Sequence, residues 1–231
     1  MYTETLTLAN GVKIPQLGLG TWFIDDANAA EAVKAAAKLG YRHFDTAQAY
    51  GNERGVGEGV RSCGVPREEL FVVSKVAAEH KTYEAAKASI DATLQKMGLD
   101  YLDMMIIHSP QPWDKVNQCE DRYVEGNRAA WRALEEAYKE GKLRAIGVSN
   151  FQIGDLNSLL EGCTVKPMVN QILLHISNTP LELVEFCQNN GIAVEAYSPI
   201  AHGEILHQPE IQAMAEKYGV AVPQLCIRYT L

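Results

Sequence analysis

The sequence has few of the features that mark secreted, metal-binding or membrane proteins. Its five cysteines are an odd number, and no two of them have Cys-x-x-Cys spacing. This favours reduced thiols in a cytoplasmic protein and predicts no zinc or other metal site. No apolar stretch approaches the roughly 20 residues that a membrane helix needs. The N-terminal residues MYTETLTLANG have no basic segment followed by an apolar one, so no signal peptide is expected.

Basic residues are also in the minority. The chain has 21 Lys and Arg against 29 Asp and Glu, which gives a net charge of −8. An acidic surface of this kind argues against nucleic acid and anionic membranes as main partners. It says little about small substrates, because the local charge in a cleft can oppose the net charge.

The glycine pattern of dinucleotide-binding Rossmann domains, G-x-G-x-x-G, is absent as well. The segment GLGTWF (18–23) has no third glycine, and GVGEG (55–59) lies within a predicted helix. A Rossmann-type site is therefore not expected. Any nicotinamide cofactor would have to be held by side chains elsewhere in the fold.

What the chain does contain is a regular alternation of short apolar segments and amphipathic segments. Asn10-Gly11 between two short strands predicts an N-terminal hairpin. Apolar residues at helical spacing predict helices over 82–97 and 129–140, and a glycine follows each of them closely. Dense apolar segments predict seven strands buried on both faces: 16–22, 43–47, 70–76, 103–109, 144–150, 168–174 and 193–199.

Alternating strands and helices predict a parallel sheet with crossover helices, in one α/β domain over residues 1–231. A closed (β/α)8 barrel of the TIM type needs eight strands, and the chain ends in the helix-like segment VPQLCIRYTL after the seventh. We therefore expect a barrel whose strand eight and last helix are missing from this chain.

Candidate catalytic residues follow from the barrel, because active residues gather at the C-terminal ends of its strands. Asp45, Lys75 and His108 end three neighbouring predicted strands, and Tyr50 stands in the loop after Asp45. Each has an ordinary explanation alone: a loop acceptor, a solvated lysine, a structural histidine and a packing aromatic. A carboxylate, an ammonium, an imidazole and a phenol on one rim together favour a functional site.

The chemistry of these four side chains predicts a proton donor for a carbonyl group. A phenol has a reference pKa of about 10, and a nearby ammonium such as that of Lys75 favours the phenolate. Asp45 would hold Lys75, and His108 would donate to a substrate oxygen. Tyr50 could then protonate a carbonyl oxygen while a nicotinamide supplies hydride to the carbon.

Other residues at the predicted rim suit a nicotinamide and an apolar substrate. Ser149, Asn150 and Gln171 have the hydroxyl and amide groups that bind a carboxamide, and Tyr197 could stack on the ring. The aromatic residues Trp22, Phe23 and Trp113 predict an apolar pocket for aldehydes and ketones.

Six segments of the chain, in this order, make it resemble the aldo-keto reductases: GYRHFDTAQAYGNE, VVSK, IIHSP, GVSNF, VNQ and AYSPI. The resemblance implies a βα barrel closed at the bottom by the hairpin, direct hydride transfer from NADPH to a carbonyl substrate, and a monomer. It implies that Tyr50 donates the proton, that Lys75 and Asp45 adjust the acidity of Tyr50, and that His108 orients the carbonyl.

The resemblance also assigns the cofactor-binding residues. It implies that Ser149, Asn150 and Gln171 hold the carboxamide and that Tyr197 stacks on the nicotinamide. It implies that the junction of cofactor and substrate is lined by Gly20, Thr21 and Trp22. It also implies that the segment covering the pyrophosphate contains Ile200 and Gly203.

The sequence departs from the family pattern at three places. Ser109 stands where many members have tryptophan, so the pocket wall is expected to be more open unless Trp113 compensates. Leu173 and Ile176 replace the usual glutamate and proline. The expected absence of strand eight removes the basic residues that grip the 2′-phosphate, so the sequence leaves NADPH and NADH both open.

Two other functions are compatible with the same barrel. Lys75 at a strand end could be the nucleophile of a Schiff-base aldolase, although pairing with Asp45 would keep it protonated. A non-catalytic nicotinamide-binding barrel is the other alternative, and the complete set of four rim residues argues against it.

Overall fold

The computed structural model describes residues 3–116 and 118–231. The chain begins with the predicted hairpin, β1 (Thr5–Thr7) and β2 (Lys13–Pro15), which pair antiparallel. At its turn Gly11 has a φ of 85°, which only glycine adopts freely. The side chain of Asn10 donates to the carbonyl oxygen of Arg144 at 2.9 Å. The hairpin is thereby attached to the N-terminal end of the barrel, as the resemblance implies.

All seven predicted strands are present and form one parallel sheet in sequential order. Contacts across the sheet, such as Gln171 with Asp45 and Glu195 with His43, join strands from its two halves and show that it curls into a barrel. The strands are β3 (Gly18–Gly20), β4 (His43–Asp45), β5 (Phe71–Val76), β6 (Leu102–Ile107), β7 (Leu143–Ser149), β8 (Val169–Leu173) and β9 (Ala193–Tyr197).

The barrel is open between its first and last strands. Within the described residues, β3 and β9 each pair with one neighbour in the sheet, whereas the strands between them pair on both sides. Every residue of β5 and β6 is buried, but every residue of β9 is only partly buried. The difference follows from the unpaired edge of β9.

Helices follow the strands as crossover connections. The predicted helix 82–97 begins one residue later than expected, with the Thr82 hydroxyl accepting from the Ala85 amide at its start and Gly98 at its end. The predicted helix 129–140 begins earlier, at Val124. The helices are α1 (Asp26–Lys38), α2 (Glu53–Ser62), α3 (Tyr83–Met97), α4 (Val124–Lys139), α5 (Ile153–Leu160), α6 (Leu181–Asn189), α7 (Pro209–Tyr218) and α8 (Val222–Tyr229).

Two further features were predicted from the sequence, the state of the cysteines and the lack of a membrane helix. All five cysteines are free thiols. Within residues 3–116 and 118–231, no helix is both long and apolar enough to cross a membrane.

The glycines of the GVGEG segment serve helix packing. They lie in α2 as predicted, and a Cβ atom on Gly55 would stand 2.1 Å from the Asp26 carbonyl oxygen of α1. A Cβ atom on Gly57 would stand 2.2 Å from the Met97 carbonyl oxygen of α3. Both neighbours are backbone atoms of packed helices, so only glycine fits.

Replacing Gly57 by alanine is expected to destabilise the protein by about 1–3 kcal/mol, the usual cost of overpacking a tight contact. Gly154 in α5 is the matched control, because its Cβ would meet no described atom within 4 Å. Gly154→Ala should be neutral or stabilise by up to about 1 kcal/mol through helix propensity. Urea unfolding of both variants measures the difference, and equal midpoints would show that the α2–α3 contact is not tight.

Candidate active site

The four candidate catalytic side chains meet at the C-terminal rim of the barrel. Asp45 is the last residue of β4, Lys75 lies near the end of β5, and His108 follows β6 directly. Tyr50 ends a short 3-10 turn, Gln48–Tyr50, just beyond β4. The Lys75 ammonium pairs with the Asp45 carboxylate and donates to the Tyr50 hydroxyl at 3.2 Å. The Tyr50 and His108 rings meet edge to face, with centroids 5.5 Å apart.

Lys75 is fully buried, yet it keeps its charge. Burial alone would lower the pKa of its ammonium, but the charges of Asp45 and Tyr50 and the hydrogen bonds to them outweigh burial and raise the pKa. Its third proton is donated to the Thr46 carbonyl oxygen at 3.0 Å, so all three N–H groups have acceptors. A protonated amine is not a nucleophile, which disfavours the aldolase alternative.

The pKa of Tyr50 corrects one expectation. We expected the ammonium of Lys75 to lower it, and that contribution has the expected sign. Burial is larger, however, and with the negative charges of Asp45 and Glu195 it leaves the pKa above the ordinary value of 10.0. The phenol therefore stays protonated at neutral pH, as a proton donor must.

His108 is a neutral imidazole. Burial, and then the charge of Lys75, lower its pKa to about 3. Its Nδ1 is buried and has no hydrogen-bond partner among the described residues. A proton on Nδ1 would be unsatisfied, so the neutral ring carries its proton on Nε2. His108 is therefore available as an uncharged hydrogen-bond donor.

Two polar side chains around Tyr50 hold its loop in place. Asn52 donates to the carbonyl oxygens of Thr21 and Ile24 at 2.8 and 2.9 Å, which attaches the loop to the segment after β3. The Gln48 side chain accepts from the Ala77 amide at 2.8 Å, just beyond β5. Neither residue was predicted to have a role, although both lie in the segment GYRHFDTAQAYGNE.

Glu53, the next residue of that segment, was also missed. It is fully buried at the start of α2. Its carboxylate accepts from Ser74 at 2.7 Å, from Thr93 at 2.9 Å and from the Lys96 ammonium at 2.9 Å. Because Ser74 directly precedes Lys75, Glu53 joins α2 and α3 to the strand that carries the ammonium.

An aromatic wall borders the site. Trp22 lies 6.5 Å from the Tyr50 ring and 4.2 Å from Phe23, measured between centroids. Trp113 meets the ring of His108 edge to face at 5.0 Å. All three are exposed at the mouth, whereas Ser109 is buried. Trp113 thus packs on the histidine, and its compensation for Ser109 stays a prediction.

The predicted carboxamide-binding residues do not all point the same way. Ser149 ends β7, and Asn150 follows it with a φ of 63°. The Asn150 amide donates to Ser149 Oγ and to the His108 carbonyl oxygen, both at 3.0 Å, and accepts from the Tyr197 hydroxyl at 2.8 Å. Gln171 instead donates to Asp45 Oδ2 at 3.0 Å, so in this structure its amide holds the Asp45 carboxylate.

The residues at the end of β3 also differ in their contacts. Gly20 pairs in register with Asp45, and a Cβ there would meet no described atom within 4 Å. Thr21 is fully buried and donates its hydroxyl to the Asp45 carbonyl oxygen at 2.9 Å. Gly20 therefore leaves open space at the rim, whereas Thr21 anchors the backbone.

Ile200 and Gly203 lie in the segment after β9, at the same end of the barrel as the aromatic wall. Ala201, His202 and Gly203 all have positive φ angles. The His202 ring meets Trp22 edge to face at 5.4 Å. This contact brings the segment of Ile200 and Gly203 to the aromatic wall.

Comparisons with known proteins agree with this geometry. The sequence model of the Aldo/keto reductase family matches residues 16–231. The chain is 44% identical over 229 residues to the glyoxal reductase of Bacillus subtilis (strain 168), covering 99% of this chain and 79% of that protein. An aldo/keto reductase from Brucella melitensis superposes with a TM-score of 0.89 at 37% identity, covering 98% of this chain and 84% of the other.

A Bombyx mori aldo-keto reductase, solved in complex with NADP, superposes with a TM-score of 0.85 at 32% identity, covering 99% of this chain and 80% of the other. The chain belongs to the aldo-keto reductase family and is an NADP(H)-dependent oxidoreductase. The side chains at the mouth fit a nicotinamide: Tyr197 offers a partly buried aromatic face, and Ser149 and Asn150 offer a hydroxyl and an amide.

Proposed function

We propose that the protein reduces aldehydes and ketones to alcohols and that Tyr50 gives the proton to the carbonyl oxygen. One observation carries this proposal. The buried ammonium of Lys75 is bonded at once to the Asp45 carboxylate and to the Tyr50 hydroxyl, beside a neutral His108. An arrangement of this kind stabilises the phenolate that forms as the proton leaves, and it does not stabilise the neutral phenol of the resting state to the same extent.

The cofactor is assigned to the side chains of the same rim. Bound NADPH supplies the hydride for the carbonyl carbon. Ser149, Asn150 and Gln171 would hold its carboxamide and Tyr197 would stack on its ring. The junction with the substrate is assigned to Gly20, Thr21 and Trp22, and the cover of the pyrophosphate to Ile200 and Gly203.

Tyr50 and His108 together orient the carbonyl group. The Nε2–H of His108 and the hydroxyl of Tyr50 donate to the carbonyl oxygen. As negative charge grows on that oxygen, the Tyr50 proton moves to it. The phenolate that remains lies beside the Lys75 ammonium, whose Nζ is 3.2 Å from the Tyr50 oxygen, and Asp45 keeps that ammonium in place.

The substrates are assigned by chemistry and by the aromatic wall. Trp22, Phe23 and Trp113 form an apolar border around a polar centre, which suits small aliphatic or aromatic carbonyl compounds. The name of the Bacillus relative makes glyoxal the first substrate to test. We expect a monomer that acts in the cytoplasm.

Consumption of NADPH by the purified chain tests the proposal, with glyoxal and benzaldehyde as substrates and with NADH in a parallel series. We expect turnover with NADPH, and the ratio of the two rates reports how strongly the 2′-phosphate is bound. Binding of NADPH without turnover of any carbonyl would support a non-catalytic barrel. Borohydride trapping of a carbonyl compound on Lys75 would support the aldolase instead.

A further inference from the structure

The barrel interior contains a second pair of titratable groups that the proposed reaction does not use. His43 is the first residue of β4, two residues before Asp45, so both side chains face the same side and His43 lies nearer the bottom. Glu195 lies in the middle of β9 and pairs in register with Gln171. Glu195 Oε1 is 3.7 Å from His43 Nε2. The pair therefore lies directly beneath the Asp45–Lys75 pair.

The tautomer of His43 follows from its other contact. His43 Nδ1 is 3.1 Å from the carbonyl oxygen of Pro15. A carbonyl oxygen only accepts, so Nδ1 must carry a proton and donate it. The position is tightly defined, because a Cβ on Gly18 would stand 2.8 Å from the same nitrogen. In a neutral His43 ring, Nε2 therefore carries no proton, and its lone pair faces Glu195.

This geometry favours one additional proton on the pair. An ionised Glu195 and a neutral His43 would place two acceptors opposite each other, with no donor between them. The Nε2 atom of His43 and the Oε2 atom of Glu195 are both buried without a hydrogen-bond partner among the described residues. Buried polar atoms in this state cost free energy. A single proton, on either His43 or Glu195, turns the contact into an attractive one.

We propose that Glu195 is a positioning residue of the reduction. Glu195 and His43 share one proton beneath Lys75. When this proton is lost, the negative charge that remains on Glu195 favours the protonated form of Tyr50. The proposal rests on the proposed function. The titratable and charged groups that face Glu195 are His43 and Asp45 from β4 and Lys75 from β5. Tyr50 is the next titratable group beyond them.

The electrostatic contributions have the signs that this role needs. Burial raises the pKa of Glu195, and the negative charge of Asp45 raises it further. The charges of His43 and Lys75 and a hydrogen bond from Gln171 act in the opposite direction, but the pKa remains above its ordinary value. The charge of Glu195 in turn raises the pKa of Tyr50. As pH rises and the pair loses its proton, the new negative charge helps Tyr50 to keep its own. The pair thereby extends the pH range in which Tyr50 is a donor.

The first experiment needs no turnover. ¹⁵N spectra of the His43 ring and ¹³C spectra of the Glu195 carboxyl, recorded on the whole chain at pH 7, count the protons on the pair. We expect one proton besides the one on Nδ1. A bare Nε2 together with an ionised Glu195 would overturn the proposal.

The second experiment measures the pH dependence of kcat for glyoxal reduction in Glu195→Gln. The amide imitates the protonated acid, because its N–H can donate to His43 Nε2. Removing the charge should move the alkaline limit of kcat to lower pH by about half a unit to one unit, with little change in KM. Glu185→Gln on the exposed face of α6 makes the same change of formal charge and should leave the profile unchanged.

The remaining outcomes are also decisive. Glu195→Met removes the same charge and should give the same shift if the amide variant does not fold.

If the parent chain shows no turnover, the proposed function fails. The ionisation midpoint of Tyr50, taken from difference spectra against matching Tyr50→Phe proteins, then tests the same shift. A midpoint or profile identical to that of the parent would contradict the role of Glu195.

Discussion

Replacing Tyr50 by phenylalanine is expected to lower kcat for carbonyl reduction by about 10²–10⁴-fold, the usual contribution of a positioned general acid. The ring would remain, so its edge-to-face contact with His108 and its contact with Trp22 should persist. The hydroxyl that accepts from Lys75 at 3.2 Å would be lost. Binding of NADPH should change little, because no contact of Ser149, Asn150 or Tyr197 described above involves Tyr50.

Steady-state kinetics at saturating NADPH, together with a fluorescence titration of NADPH binding, separate the two effects. Tyr41→Phe is the matched control, since it removes the same atom from a tyrosine that packs against the core. Its kcat should equal that of the parent. Reduction by Tyr50→Phe at the parental rate would show that the proton comes from another group.

Replacing Lys75 by methionine is expected to abolish reduction and to destabilise the fold by about 3–5 kcal/mol, the usual result of removing one partner of a buried ion pair. Lys75 is fully buried. Its loss would leave the Asp45 carboxylate without its cation and the Thr46 carbonyl oxygen without that donor. The destabilisation therefore arises from uncompensated buried charge more than from lost attraction.

Lys87→Met is the control for this prediction. Lys87 pairs with Glu136 on the surface, where both side chains are well exposed, so water replaces the lost partner and no measurable change in unfolding is expected. The double variant Asp45→Asn/Lys75→Met should recover part of the stability without recovering activity. If Lys75→Met were as stable as Lys87→Met, the ammonium would not be bound as tightly as its contacts indicate.

The two predictions together distinguish the candidate functions. Loss of activity in both variants, with NADPH binding retained in Tyr50→Phe, is the result for a reductase in which Lys75 acts through Tyr50. An aldolase would lose activity in Lys75→Met alone. A protein that only binds the cofactor would show no effect of Tyr50→Phe on any measured function.

The sequence by itself determined the strands and the rim. Seven segments are dense in apolar residues because parallel strands are buried on both faces, and all seven are strands in the structure. Asp45, Lys75 and His108 were predicted to meet because the C-terminal ends of neighbouring parallel strands lie at one edge. These inferences need only local patterns and one topological rule, so they could be made without coordinates.

Only the tertiary structure decided how those groups behave. The pKa of Tyr50 reflects burial, three charges and the hydrogen bond from Lys75, and the direction of its shift depends on how deeply the ring is packed. Gln171 bonds to Asp45 and Glu195 faces His43 because the sheet curls until its two halves meet. The need for glycine at position 57 comes from the backbone of another helix. Each of these contacts joins residues far apart in the chain, and the curl of the sheet and the packing of the helices set the distances between them.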